Sequence, residues 1–153
     1  MNALELKVPP VPLALVFAGV MRLAAVQFPA LAVALPWRLA LALALGVAGG
    51  VFALAGMAAF RRARTTFSPM QPGAAAAVVT SGVYRLTRNP MYLGLLLAPA
   101  GWAAYLAHVL AFLFLPAFVA YMNRFQIVPE ERALASKFDA GFAAYKESVP
   151  RWL

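Results

Sequence analysis

The sequence predicts an all-α membrane protein with about four transmembrane helices, a C-terminal helical hairpin and a cytosolic amphipathic helix, in a single domain over residues 1–153. Two observations carry this prediction. Hydrophobic residues make up 64% of the 153 and charged residues only 12%, whereas about a quarter of the residues of a soluble domain are charged. The apolar residues also fall in long runs, and a spanning helix needs about 20 of them in succession.

The chain carries a net charge of +8, from 13 Lys and Arg residues against 5 Asp and Glu residues. In a soluble protein this excess would suggest nucleic acid binding. Here no basic patch interleaved with aromatic residues is found, and the positive-inside rule and anionic lipid explain the charge better. We therefore expect membrane lipids as partners and no nucleic acid.

Cysteine and histidine are nearly absent. The chain has no cysteine and one histidine, which excludes disulfides, thiol catalysis and cysteine-ligated metals. His108 has no second histidine or acid beside it, so we predict no metal site and expect His108 at an interfacial hairpin tip.

Two apolar runs in the first half predict the first two spans, at about Pro12–Leu35 and Trp37–Phe60. The chain start lacks the pattern of a signal peptide, so we expect residue 1 onward in the mature protein. Arg22 lies near the middle of the first run, where a charge either faces the bundle interior or reaches out to the interface. In the second run, Gly46 and Gly50 are four residues apart, a spacing that favours close helix packing.

The second half of the chain predicts a loop, a hairpin and an amphipathic helix. Residues 65–80 form the loop. The apolar region Met91–Met122 is too long for one span and predicts two helices packed as a hairpin. From Asn123 onward, charged residues alternate with an apolar series at helical spacing, which predicts an amphipathic helix on the membrane surface or against the bundle. That series is Leu134, Phe138, Phe142 and Tyr145.

The arginines predict the orientation in the membrane. In a four-span arrangement most of them fall on the side opposite the hairpin tip, and this side should be the cytosol of a plasma or inner membrane. Arg38 falls on the other side. The arginines that agree are Arg61, Arg62, Arg64, Arg85, Arg88, Arg124 and Arg132.

Polar residues cluster in "TSGVYRLTRNPMYLG", residues 80–94, where an apolar helix is about to begin. Proline is favoured at the first helical position, and the free N–H groups of a helix start attract anions. With Arg85 and Arg88 beside Pro90, the stretch fits a carboxylate or phosphate site. It fits equally an interfacial anchor that follows the positive-inside rule.

A second polar stretch, "RFQIVPEER", covers residues 124–132. Glu130 and Glu131 follow Pro129 at the start of the last helix, where acidic residues complement the helix dipole. The dipole does not account for an acidic pair on the same face as an aromatic-rich anion site.

Together these stretches resemble the isoprenylcysteine carboxyl methyltransferase and phospholipid methyltransferase superfamily. The shared pattern is G-x-Y-x-x-x-R-[HN]-P-x-Y-x-G, a hairpin, then E-E-x-x-L and spaced aromatics, and it covers about residues 60–153. The resemblance implies an integral membrane enzyme that transfers a methyl group from S-adenosylmethionine. Such enzymes lack a Rossmann domain, and this sequence has no strand followed by G-x-G-x-x-G.

The resemblance also implies roles for particular residues. Arg88 and the helix start at Pro90 would hold the carboxylate of the cofactor, and Glu130 would pair with its ammonium group. Arg124 would lie near the substrate entrance, and an amine acceptor would lose its proton to Glu131 or directly to water. The implied cofactor-binding residues are Val78, Val79, Tyr84, Arg88, Asn89, Pro90, Met91, Tyr92 and Glu130.

The acceptor stays open, because the chain departs from the carboxyl methyltransferases. Asn89 stands where they carry histidine, residues 74–77 lack their upstream histidine, and Gln126 stands near a basic residue that serves prenylcysteine. A prenylcysteine-like carboxylate, a phospholipid amine or another small lipophilic molecule would fit. The alternative is a non-catalytic scaffold or lipid-binding protein, whose pocket should have lost Pro90, Tyr92 or Glu130. All three are retained.

Overall fold

The computed structural model describes residues 4–65, 68 and 70–153, and within these ranges it is helical with no strand. The predicted all-α class is confirmed. Thr66, Phe67 and Pro69 of the predicted loop lie outside the described residues. The helices are α1 (Pro10–Gln27), α2 (Leu35–Arg62), α3 (Pro90–Leu106), α4 (Val109–Tyr121), a π-helical segment (Met122–Ile127) and α5 (Val128–Ser148), with short 3-10 turns at Pro72–Ala74 and Gly82–Arg85.

Successive helices run up and down, and α3 lies at the centre of the bundle. It packs against α1, α2 and α4, and α1 also packs against α4. The connections 28–34 and 107–108 lie at one end, which we call the tip end, where Leu31 N–H donates to the Ala107 carbonyl at 2.7 Å. The described residues of the loop 63–89 and α5 lie at the opposite end, which we call the site end.

Among the described residues, three helices are long and apolar enough to cross a membrane by length and composition: α1, α2 and the continuous helix Val109–Ser148 that joins α4 to α5. α3 is apolar but has only 17 residues. The three long helices and the short α3 agree with the predicted count of about four.

The predicted end of the first span is wrong. The helix ends at Gln27, because Pro29 restricts the residue before it and Phe28 is extended, with φ −136° and ψ 153°. Arg22 therefore lies in the last third of α1 and is exposed, so it does not face the bundle interior.

The hairpin predicted for residues 91–122 is confirmed, and two residues, Ala107 and His108, separate its helices. Ala107 ends α3 in the left-handed region at φ 48°. His108 begins α4, and its Nδ1 accepts from the Leu110 N–H at 3.2 Å. His108 is only 4% exposed, so it acts as a buried helix cap at the tip.

Small residues do pack α2 closely against α3, but they are not the predicted pair. A Cβ added at Gly46 or Gly50 would meet nothing within 4 Å. A Cβ at Gly49 would lie 2.7 Å from the Gly94 carbonyl oxygen, and one at Gly101 would lie 2.9 Å from the Ala42 carbonyl oxygen. We call this line of close contacts the seam. Its residues are seven apart on each helix, and the two helices run antiparallel along it. Its members are Ala42, Gly49 and Gly56 on α2 and Gly94 and Gly101 on α3.

Arg38, which lies on the side opposite the other arginines, has a structural role there. Its Nε donates to the Tyr105 carbonyl at 2.6 Å, its Nη2 donates to the same oxygen, and its guanidinium lies 5.5 Å from the Tyr105 ring centroid. The last carbonyls of a helix lack partners within it, and a cation there also complements the helix dipole. Arg38 thus fixes the end of α3 to the start of α2.

α5 confirms the predicted amphipathic helix and covers the site end of the bundle. It buries Phe142 and Tyr145 and exposes most of its charged residues. The helix bends at Asp139, whose φ of 37° and ψ of −116° are non-helical. It begins at Val128 rather than Asn123, because the π-helical segment occupies residues 122–127.

Candidate active site

A cleft of about 560 Å³, counting the space open to solvent, lies at the site end between the turn Gly82–Arg85, the start of α3 and the start of α5. The two polar stretches noted in the sequence thus meet at one cavity. The predicted residues that line it are Val79, Tyr84, Arg88, Asn89, Met91, Tyr92, Glu130 and Glu131.

Three predicted residues do not line the cleft. Val78 is half-buried in the hydrophobic cluster behind it. Pro90 is fully buried and starts α3, so it shapes the cleft through the backbone. Arg124 is exposed and pairs with Glu5 at 3.1 Å.

Five further residues line the cleft. Three of them, Leu134, Phe142 and Tyr145, belong to the apolar series of α5, so helical periodicity placed them on the buried face. No signal in the sequence pointed to the other two. They are Phe60, at the end of α2, and Ile127, in the π-helical segment.

Glu130 and Tyr92 form the first polar pair of the cleft. The Tyr92 hydroxyl donates to Glu130 Oε2 at 2.9 Å and accepts from Gln126 Nε2 at 3.2 Å. Burial raises the pKa of Glu130 from 4.5 to about 7, while the hydrogen bond from Tyr92 opposes that rise and the neighbouring Glu131 adds to it. A cation bound beside Glu130 would favour its ionised form.

Glu131 is tied into a second, separate network. Arg151 binds it at both oxygens, with Nε 3.1 Å from Oε1 and Nη2 2.7 Å from Oε2. Arg88 Nη1 also lies 3.1 Å from Oε1. This carboxylate is buried and holds two guanidinium groups, so it acts here as an ion-pair partner.

Arg88 retains unused donors in the cleft. Its side chain is 11% exposed, and its Nε has no hydrogen-bond partner among the described residues, while Nη1 meets Glu131 without hydrogen-bond geometry. A buried unpaired donor is costly unless something binds it. An anion such as a carboxylate would satisfy Arg88.

The last residues of the chain hold the loop that carries Arg88. The Arg88 N–H donates to the Pro150 carbonyl at 2.9 Å, and the side chains of Thr87 and Asn89 donate to the Arg151 carbonyl at 3.1 and 2.9 Å. We call Val149–Trp152 the C-terminal strap. A single arginine after a proline, in "VPRWL", carries no pattern that would have predicted this role.

Two tyrosines fix the back wall of the cleft. The Tyr145 hydroxyl donates to the Tyr84 carbonyl at 2.7 Å. Burial raises the pKa of Tyr145 to about 12, against an opposing effect of Arg88, and burial together with Glu130 raises the pKa of Tyr84. Both hydroxyls are therefore neutral near pH 7 and present rings and donors, not charges.

An apolar groove adjoins the cleft on the side of the bundle. It measures about 850 Å³, counting the space open to the surroundings, and lies over α3 between α1 and α2. Met91 and Tyr92 line both cavities, so one residue layer separates them. The other residues of the groove are Pro10, Val11, Gly49, Gly50, Ala53, Met57, Gly94, Leu95 and Ala98.

Metal ligands are not grouped in the part of the chain that the structure describes. No set of three or more His, Cys, Asp or Glu residues there lies close enough to hold a metal ion. Glu130 and Glu131 are the only acidic residues that line the cleft within the described ranges.

Comparison with known proteins finds one relative and one family. An uncharacterized protein of Haemophilus influenzae is 44% identical over 63 residues, which cover 41% of this chain and all of that protein. No solved structure matches the chain. The sequence model of the phospholipid methyltransferase family matches residues 37–141, from the start of α2 to the middle of α5. The match covers more than half of the chain and includes both stretches that form the cleft, so this chain belongs to the phospholipid methyltransferase family.

Proposed function

We propose that the protein is an S-adenosylmethionine-dependent methyltransferase that methylates a lipophilic acceptor held in the membrane. One observation carries the proposal. The cleft presents a guanidinium with unbonded donors, Arg88, beside the ion pair that it forms with Glu131, and a separate carboxylate, Glu130. These two groups complement the carboxylate and ammonium of an amino-acid zwitterion. The amino-acid end of S-adenosylmethionine has this pair of charges.

The residues present fit the cofactor. Arg88 and the N–H groups at the start of α3 would hold its carboxylate, and Glu130 would hold its ammonium. The rings of Tyr84 and Tyr92 would attract a sulfonium. When bound, S-adenosylmethionine supplies an electrophilic methyl group. The protein's part is to orient the acceptor in line with that group and to keep water out.

The groove gives the acceptor a route that stays in the membrane. Its lining is apolar, and the shared wall of Met91 and Tyr92 brings the end of a bound hydrocarbon chain next to the cleft. A carboxylate acceptor would already be ionised, and an amine would have to release a proton. Because Glu131 is held by Arg88 and Arg151, we propose that it positions Arg88, so an amine would pass its proton to water or to Glu130.

The positive charges support a cytosolic site. All 13 Lys and Arg residues lie in the described ranges, and only Arg22 and Arg38 lie towards the tip end. By the positive-inside rule the site end would face the cytosol of a plasma or inner membrane.

Cofactor binding is the first test. We would titrate S-adenosylmethionine into the purified protein in detergent by calorimetry, beside Arg88→Gln and, as a matched control, Arg85→Gln, which is exposed and does not line the cleft. We expect binding by the parent and by the control, and weakening of about 1.5–3 kcal/mol for Arg88→Gln, as for a hydrogen bond to a charged group. No binding by a folded parent would overturn the proposal.

The acceptor groove is tested on α2, where two open glycines are one turn apart. Gly50 lines the groove and Gly46 does not, and a Cβ added at either would meet nothing within 4 Å. Gly50→Leu should block methyl transfer from labelled S-adenosylmethionine to a membrane lipid extract without weakening cofactor binding. Gly46→Leu should leave both unchanged. Cofactor binding by the parent without any transfer would favour the non-catalytic lipid-binding alternative.

A further inference from the structure

A short segment before α1 is fastened to the π-helical segment. We call Leu4–Pro9 the N-terminal strap. Its Leu6 N–H donates to the Phe125 carbonyl at 2.9 Å, and Val8 packs against the core cluster of Phe118, Met122 and Ile127. Leu6 has φ 58°, in the left-handed region, which is costly for a residue with a Cβ and persists only where contacts impose it. The strap is therefore held in place by specific contacts.

The strongest of these contacts involve Glu5. It is 7% exposed, and its Oε1 lies 3.1 Å from Arg124 Nη1 and 3.0 Å from Arg132 Nη2. Each arginine side chain is 54% exposed. Two guanidinium groups thus converge on one carboxylate oxygen and leave a net positive charge at the surface.

The arrangement of Arg124 and Arg132 indicates which ligands this site can bind. Arginine pairs bind carboxylates and phosphates through several parallel donors. An anionic oxygen already occupies the point where Arg124 and Arg132 converge, and the chain itself supplies it. A phosphate could place one oxygen at the same point and offer others to the outward-facing donors of both exposed guanidinium groups.

The position favours a membrane lipid as the source of that phosphate. Arg124 lies in the π-helical segment that follows the apolar helix α4, within the continuous helix that is long and apolar enough to cross a membrane. The site end carries most of the chain's positive charge, and a positive surface at this depth attracts anionic lipid. We propose that Arg124 and Arg132 form a binding site for the phosphate group of an anionic membrane lipid, and that Glu5 occupies this site until the lipid displaces it.

Displacement of Glu5 would remove two ion pairs of the N-terminal strap and weaken its attachment. The strap leads directly into Pro10 and Val11, which form one wall of the apolar groove. Lipid binding at the arginine pair would therefore loosen that wall, and this consequence does not depend on methyl transfer. It also gives a readout, because Lys7 is exposed in the strap, and trypsin cleaves after lysine once the backbone around it is free.

Lipid binding is measured by native mass spectrometry in a neutral detergent, with phosphatidylglycerol as the probe. Glu5→Gln weakens the competing internal anion, so it should bind this lipid at least about fivefold more tightly than the parent. Arg124→Gln/Arg132→Gln should lose the preference for phosphatidylglycerol over phosphatidylcholine. The control Arg61→Gln/Arg62→Gln removes two exposed arginines from the same end and should keep it. Equal lipid binding by the parent, Glu5→Gln and the Arg124/Arg132 double variant would overturn the proposal.

Trypsin cleavage after Lys7 distinguishes the source of the anion. Phosphatidylglycerol should accelerate cleavage of the parent to near the rate of lipid-free Glu5→Gln, and millimolar inorganic phosphate should not. Acceleration by inorganic phosphate alone would replace the lipid site with a free-anion site. An unchanged parent rate in the presence of bound phosphatidylglycerol would show that the lipid does not compete with Glu5.

Discussion

Glu130 and Glu131 are adjacent in sequence, yet they meet different partners. Glu130 accepts from the Tyr92 hydroxyl, whereas Glu131 is held by two arginines. The turn of α5 sends the two side chains in different directions from the helix start, and the ion pairs fix the second. Glu130 is thus left to meet a ligand. Glu131 holds Arg88 in place, and Arg88 is the second residue that would contact that ligand.

Substitution should separate these two roles. Glu130→Gln should weaken S-adenosylmethionine binding by about 1–2 kcal/mol without lowering stability. Glu131→Gln should lower the free energy of unfolding by about 2 kcal/mol, since it leaves Arg88 buried without its counter-charge. Calorimetric titration and thermal unfolding of the two variants measure both quantities. The reverse result, with normal binding by Glu130→Gln, would exchange the roles.

The raised pKa of Glu130 predicts a pH dependence. Its pKa is about 7 in the folded protein against 4.5 for the unperturbed group, so stability from protonated Glu130 is lost as pH rises from about 4.5 to about 7. Ligand binding should show the opposite trend, because the ammonium needs the ionised carboxylate. Affinity of the parent for S-adenosylmethionine should rise from about pH 6 to about pH 7.5, below the range near 8 where an α-amino group loses its own proton.

Glu130→Gln is the control for this titration. Its affinity should be weak and flat over the same interval, because the amide does not titrate. A parallel rise in the variant would assign the pH dependence to another group.

At the scale of elements, the seam between α2 and α3 determines where the cleft residues sit. α3 carries Met91 and Tyr92, and its backbone approaches α2 at Gly49 and Gly94. A carbonyl oxygen faces the added Cβ in each direction, so the contact cannot be relieved by rotating a side chain. The distance between the helices is therefore set by the absence of side chains at these positions.

Gly49→Ala and Gly46→Ala form a matched pair on α2. Gly49→Ala should lower the free energy of unfolding by about 1–3 kcal/mol, the cost of overpacking, less the gain from better helix propensity. Gly46→Ala meets nothing within 4 Å and should stabilise the helix by up to about 1 kcal/mol. Thermal unfolding in detergent compares the two variants. Equal effects would mean that the seam is not close-packed.

The sequence predicted some elements well because their signals were local. Apolar runs gave α2 and the α3–α4 hairpin, and periodicity gave the buried face of α5. The end of α1 was misplaced because hydropathy continues past Pro29, although the backbone does not. The π-helical segment changes no hydropathy pattern, so the positions of Gln126 and the start of α5 were not predictable.

The site was predicted in part for the same reason. Tyr92 and Glu130 were both expected at one cofactor site, and they line the same cleft. The hydrogen bond between them was not predicted. The contacts of Arg151 and Glu5 were missed, since each depends on a single charged residue brought from a chain terminus. No spacing pattern within the chain records such long-range pairs.

At the scale of the whole molecule, the charge distribution predicts the orientation. The chain has no native cysteine, so single cysteines report position directly. Cysteines placed at Gly73 and Ser136, both exposed at the site end, should react with an impermeant maleimide only from the cytosol, and one at Val109, exposed at the tip end, only from the other side. Labelling of position 109 from the cytosol would invert the orientation.

The layer formed by Met91 and Tyr92 has a consequence for ligand design. A single molecule that joins an amino-acid head to a hydrocarbon tail could reach both cavities across this layer. The tail would be held at a high effective concentration once the head had bound, and affinity could rise by about 10²–10⁴ over either half. The spacer would have to span only one side chain. Because a longer spacer lowers the effective concentration of the tail, inhibitory potency should fall as methylene groups are added to it.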